Sequence, residues 1–118
     1  LILKNAIDFL KFQPITIKKY TYGFYSMVVV GDKVVIASDD ITARIVDINT
    51  GQFLHTLSTE IIFSIAADSD RVVIGLHGKI KVWDINTAQL LHTFIRPSDT
   101  PNSIIVTNDK VITASDNG

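Results

Sequence analysis

Three histidines, His55, His77 and His92, are the side chains in this sequence best suited to acid–base or metal chemistry. His55 and His92 stand in Leu-His-Thr-Leu and Leu-His-Thr-Phe, 37 residues apart. A metal site needs further ligands converging on one ion at about 2.0–2.2 Å, and no ligand spacing here implies that convergence. The residues around both histidines recur with them, so repetition of a structural unit accounts for the pair. His77 precedes Gly78, where capping a turn suits it better than acting as a general base. Asp39, Asp40, Asp68, Asp70 and Asp109 all fall in turn-like stretches, where a short carboxylate bonds nearby backbone N–H groups. Paired carboxylates for hydrolysis would have to come from separate units facing one pocket. No nucleophile elbow, phosphate-binding glycine loop or His-Glu-x-x-His pattern occurs. No catalytic residue, cofactor or metal is expected from these 118 residues. The cluster Tyr20, Tyr22, Phe24 and Tyr25 has two readings: strand packing, or an exposed aromatic anchor for a partner.

The elements that would position these groups repeat. Lys33–Leu57 reads KVVIASDDITARIVDINTGQFLHTL, and Arg71–Phe94 reads RVVIGLHGKIKVWDINTAQLLHTF. A third copy opens at Lys110 as KVITASDNG. Asp47 and Asp84 are 37 apart, while Lys33, Arg71 and Lys110 are spaced by 38 and 39. Such drift marks one structural unit with small loop insertions. Within each unit, short apolar or alternating runs are separated by turn residues: Gly31-Asp32, Ser38-Asp39-Asp40 and Asn49-Thr50-Gly51, then Asp68-Ser69-Asp70, His77-Gly78 and Asn86-Thr87-Ala88. Four short antiparallel strands per unit describe one propeller blade. The expected blades cover about 22–57 and 60–95, with a partial third at 103–118 after the Arg96–Asn102 loop. At the start, residues 1–20 are either the end of a preceding blade, with Ile15–Tyr20 as its outer strand, or a short helix stopped by Pro14.

Composition sets the class. Apolar residues make up 47% and mean hydropathy is +0.30, too apolar for a disordered chain. With 11 basic and 12 acidic residues, neither nucleic acid nor an anionic membrane is the expected partner. Apolar runs such as Met27–Val30 and Ile61–Phe63 are strand-sized, far from a membrane span. Cysteine is absent, which excludes disulfides and thiolate chemistry. With no signal-peptide pattern visible, the expected location is the cytoplasm. A first residue that is not Met and a third copy cut short point to a piece of a longer protein.

Lys79–Phe94 resembles the WD-repeat β-propeller family, and the resemblance extends over roughly residues 15–118. Trp83-Asp84 matches the pair closing the third strand, and Val46-Asp47 matches it with Val for Trp. The family's Ser/Thr and following Asp fall on Ser38 with Asp39 or Asp40, and on Ser115 with Asp116. In the second unit Gly75 and His77 stand near those places, and Ser58-Thr59-Glu60 replaces the usual Gly-His. The family's buried hydrogen-bond network is therefore expected to be incomplete in every blade. The resemblance implies an all-β, WD-like propeller fragment of about two full four-stranded blades with partial blades at both ends. The remaining blades would come from the rest of a longer chain or from another copy.

The function implied is a non-catalytic scaffold binding a protein or peptide on one face of the propeller. Loops on a rigid sheet framework carry such sites, and blade position singles out Tyr22, Glu60 and Asn102 before the first strands, with Asp39 and His77 in turns. The alternative is a segment of a propeller hydrolase or quinoprotein-type dehydrogenase whose catalytic residues lie elsewhere.

Overall fold

In a computed structural model of the chain, the described residues are 24–38, 41–97 and 100–115. Tyr22, Asp39, Asp40 and Asp116, and the expected strand or helix within residues 1–20, lie outside them. The described residues are all strand and turn, with no helix. The first sheet holds β1 (Phe24–Val30), β2 (Lys33–Ser38), β3 (Thr42–Asp47) and β4 (Phe53–Ser58) in that spatial order. The second holds β5 (Ile62–Ala67), β6 (Arg71–Leu76), β7 (Lys79–Asp84) and β8 (Leu90–Ile95), and a third pairs β9 (Pro101–Val106) with β10 (Val111–Ser115). Every neighbouring pair is antiparallel.

Dense β-branched residues favour these strands, and local chemistry closes their turns. Asp47 Oδ1 accepts the backbone N–H of Asn49 at 2.8 Å and of Thr50 at 3.0 Å. Asp84 Oδ1 takes the same bonds from Asn86 and Thr87, at 2.8 and 3.0 Å. Thr50 and Thr87 hydroxyls then accept from the N–H groups of Gln52 and Gln89. Both carboxyls are held below the ordinary aspartate value, first by the N–H of Thr50 or Thr87 and then by that of Asn49 or Asn86. Each turn ends on a left-handed residue, Gly51 at φ 71° and Ala88 at φ 62°. Glycine adopts that conformation without steric cost, whereas alanine does not.

Strands β2 and β6 are buried on both faces, and among the described residues the second sheet packs between the first and the third. Val35, Ala37, Ala43, Ile45 and Leu57 of the first sheet meet Ile62, Val72, Ile74, Leu76, Trp83 and Ile85 of the second. Ala66, Val73, Ile80 and Val82 on the second sheet's far face pack with Ile104. Two polar clasps reinforce these layers. His55 Nε2 lies 3.0 Å from the Asn86 carbonyl, so that nitrogen must donate. Arg71 bonds Asp68 at 2.7 Å and reaches the carbonyls of Thr107 and Asn108 at 3.3 and 3.1 Å. Burial works against the Asp68 charge, but hydrogen bonds from Arg71 and from the backbone outweigh it and lower its pKa.

Gly75 sits where the third sheet comes closest. A Cβ there would lie 2.9 Å from the Pro101 carbonyl oxygen and 2.9 Å from Ile104 Cδ1. The Ser64 hydroxyl donates to the same Pro101 oxygen at 2.5 Å.

The structure corrects three expectations. Ser38 pairs with Phe24, Leu76 with Ile62 and Ser115 with Pro101, so Leu76, not Gly75, occupies the serine position in the second unit. Ser38 itself is the fully buried end of β2 rather than part of the turn that follows. Asn102 lies inside β9 rather than before it. The strand starts at Pro101, two residues before the expected 103, and a bulge lets Pro101 pair with Ser115.

Candidate functional site

The same irregularity recurs at one end of all three inner strands. Phe24 pairs with Ser38 and Ser26 with Ala37, which leaves Tyr25 as the extra residue. Ile62 and Ser64 likewise skip Phe63, and Pro101 and Ser103 skip Asn102. A bulge bends its strand and re-aims the extra side chain. Phe63 is accordingly 44% exposed, although Ile62 beside it in the strand is buried. Asn102 is exposed beside it.

These residues line an open groove of about 570 Å³ formed by Ser26, Ile61 to Ile65 and Asn102 to Ile104. Its isoleucines and Phe63 share the lining with Ser26, Ser64, Asn102 and Ser103. Glu60 and Lys79 form an ion pair at 2.5 Å. That bond, with the nearby positive charges of Lys79 and Lys81, outweighs desolvation and keeps Glu60 below the ordinary glutamate range. His77 Nδ1 lies 3.1 Å from the Thr100 hydroxyl. The structure thus brings three sequence-derived candidates, Glu60, His77 and Asn102, to one end of the sheets.

On the first sheet the same end carries Arg44, whose Nη1 donates to Thr42 Oγ1 at 2.6 Å and to Ser38 Oγ at 3.3 Å. On the second sheet Lys81 and Leu76 take the places of Arg44 and Ser38. There the Lys81 ammonium lies 5.8 Å from the Trp83 ring centroid. A half-buried polar pair in one unit has become a leucine and a cation over an aromatic face in the next.

Sequence reading passed over Phe63, Ile61 and Lys79. Phe63 closes an apolar run, and its displacement depends on a register shift with β6, which no local pattern announces. A usable signal did exist: Phe63 and Asn102 are 39 apart, the same spacing as other equivalent positions. His55 and His92 stay on separate sheets, and His92 stacks at a tilt 5.9 Å from Phe94. Among the described residues no three His, Asp or Glu side chains converge on a metal-sized site.

Comparison with known proteins agrees on architecture. A computationally designed protein, Ika4, superposes with a TM-score of 0.73 at 29% identity, over 80% of this chain and 61% of its own. The RRP9 WD40 repeats superpose at 0.74 and 15% identity, over 82% of this chain and 34% of theirs. Saccharomyces cerevisiae Sqt1 does so at 0.72 and 22%, over 84% and 31%. The fold is a partial WD40 β-propeller. Its two four-stranded sheets are complete blades and β9–β10 half of another. No family model matches the sequence, and no curated protein is similar to it at a significant level. The chain spans about a third of the natural WD40 structures it matches. WD40 propellers serve in general as frameworks for protein interaction.

Proposed function

We propose that this chain is a non-catalytic scaffold that binds a protein or peptide at the bulged end of its inner strands. The carrying observation is the exposed pair Phe63 and Asn102 lining one open groove of mixed apolar and polar side chains, with the Glu60–Lys79 ion pair and His77 at the same end of the sheets. A protein-binding patch usually has an apolar centre inside a polar rim, and Phe63 is the aromatic side chain of this groove. A single aromatic at such a centre carries a large share of the binding energy. In this reading Phe63 is the anchor, Asn102 supplies hydrogen bonds to the partner backbone, and Glu60, Lys79 and His77 set orientation.

Peptides selected by display against the chain, then measured by calorimetry, test the proposal. Phe63→Ala is expected to weaken binding by about 2 kcal/mol or more, and Asn102→Ala by about 1. Full affinity in a Phe63→Ala, Asn102→Ala double variant would place the site elsewhere.

A further inference from the structure

The turns that lead into β3 and β7 share one backbone design. Ile41 and Gly78 each stand just before the third strand of a blade, 37 residues apart. Both hold left-handed backbone, at φ 58° and 75°. In each blade that residue's carbonyl accepts the N–H of the residue after the fourth strand: Ile41 from Thr59 at 3.1 Å, Gly78 from Arg96 at 2.7 Å. Glycine takes this conformation freely, and the second blade supplies it. In the first blade the residue is β-branched, a true outlier whose Cβ crowds the carbonyl that follows. Thr59 adds support there: its hydroxyl also donates to the Ile41 carbonyl, at 2.9 Å, and lies 2.8 Å from the Glu60 carbonyl. Packing offers no matching return, since the Ile41 side chain is 48% exposed and joins no core cluster among the described residues. Strain that the surrounding structure holds in place is typical of binding sites. From Thr59 the chain passes through Glu60 straight to Ile61, which lines the groove. Beside Glu60 stand Lys79, its ion-pair partner, and Lys81, which no carboxylate of the described residues pairs.

From this we infer that Ile41 is a second apolar anchor for the partner that fills the groove, and that this partner is a peptide segment with two apolar residues flanking an acidic one. The inference rests on the function proposed above and extends its site from the second blade to the first. One apolar side chain of the peptide meets Phe63 and Ile61, and the other meets Ile41, whose side chain offers nothing but apolar contact. The carboxylate between them meets the Lys81 ammonium, the cation that the chain itself leaves unpaired among its described residues. Asp39 and Asp40 precede Ile41 in the sequence, so an acidic group belongs on the groove side of that contact, at Lys81.

The probe is the set of peptides selected by display against the full chain, first sequenced and then measured by calorimetry with each variant. Enrichment of an acidic residue between two apolar ones is expected. Ile41→Gly should keep or raise the urea midpoint, because glycine relieves the left-handed strain, and yet weaken binding about tenfold. Lys81→Gln should weaken it about fivefold, with the loss shrinking as salt is raised. Parental affinity in either variant, or selected peptides without the acidic residue, overturns the inference. A lower urea midpoint in Ile41→Gly also overturns it, by showing that the isoleucine is kept for packing. If Phe63→Ala abolishes binding while Ile41→Gly does not change it, the second anchor falls and the groove proposal stands. Parental affinity in the Phe63→Ala, Asn102→Ala double variant removes the groove proposal itself.

Discussion

Gly75→Ala is the smallest change that tests how the blades are held together. At the matching place in the first blade Ala37 keeps its methyl fully buried, so the position itself tolerates a Cβ. At Gly75 the new methyl would stand 2.9 Å from both the Pro101 oxygen and Ile104 Cδ1, and would displace the Ser64 hydroxyl. A backbone carbonyl cannot swing aside as a side chain can. Either β9 retreats from β6 or the Ser64–Pro101 bond is lost. Overpacking of this kind costs about 1–3 kcal/mol, and the forfeited hydrogen bond is one part of that cost. Replacing glycine in a strand returns about 0.5–1 kcal/mol. The net loss is about 1–2 kcal/mol, seen as a lower urea midpoint at unchanged slope. Amide exchange should localise the loosening to β9 and β10. Adding Ser64→Ala removes the hydroxyl from the methyl's path, so the double variant should recover part of the loss, a non-additivity expected of contacting residues. A Gly75→Ala chain as stable as the parent would refute this account of the blade boundary.

Ala88→Gly should raise stability by about 0.5–1 kcal/mol in the same assay, because Ala88 holds the left-handed conformation that Gly51 adopts freely. Gly51→Ala should lower it by about 1 kcal/mol, since nothing crowds a Cβ there and only the backbone conformation objects. Asp47, Asp68 and Asp84 all have folded pKa values below the ordinary 3.8. Their stabilisation is therefore complete above the unfolded value and is lost as pH falls through the folded ones. Asp84→Asn keeps an acceptor oxygen without the titration, so its acid-unfolding limb should be shallower than that of the parent. His55→Ala should cost about 1 kcal/mol and speed amide exchange in the β7–β8 turn, whose Asn86 carbonyl it frees.

Much of this architecture is legible in the chain. The strands follow from short β-branched runs, and the Asp-Ile-Asn-Thr turns follow from a carboxylate bonding N–H groups two and three residues on. Both depend on near neighbours, and the spacing of 37 to 39 reveals their repetition. What the tertiary structure alone decided involves residues far apart in sequence. Val34 and Val35 look alike in the sequence, yet they belong to clusters on opposite faces of β2. Leu76 rather than Gly75 fills the serine position, and Phe63 is turned outward, because bulges shift pairing against a partner strand. His55 found its acceptor 31 residues away, across a blade boundary. Local sequence determines each strand and turn through short-range bonding and sterics. Packing of one blade against the next determines which side chains are core, clasp or exposed anchor.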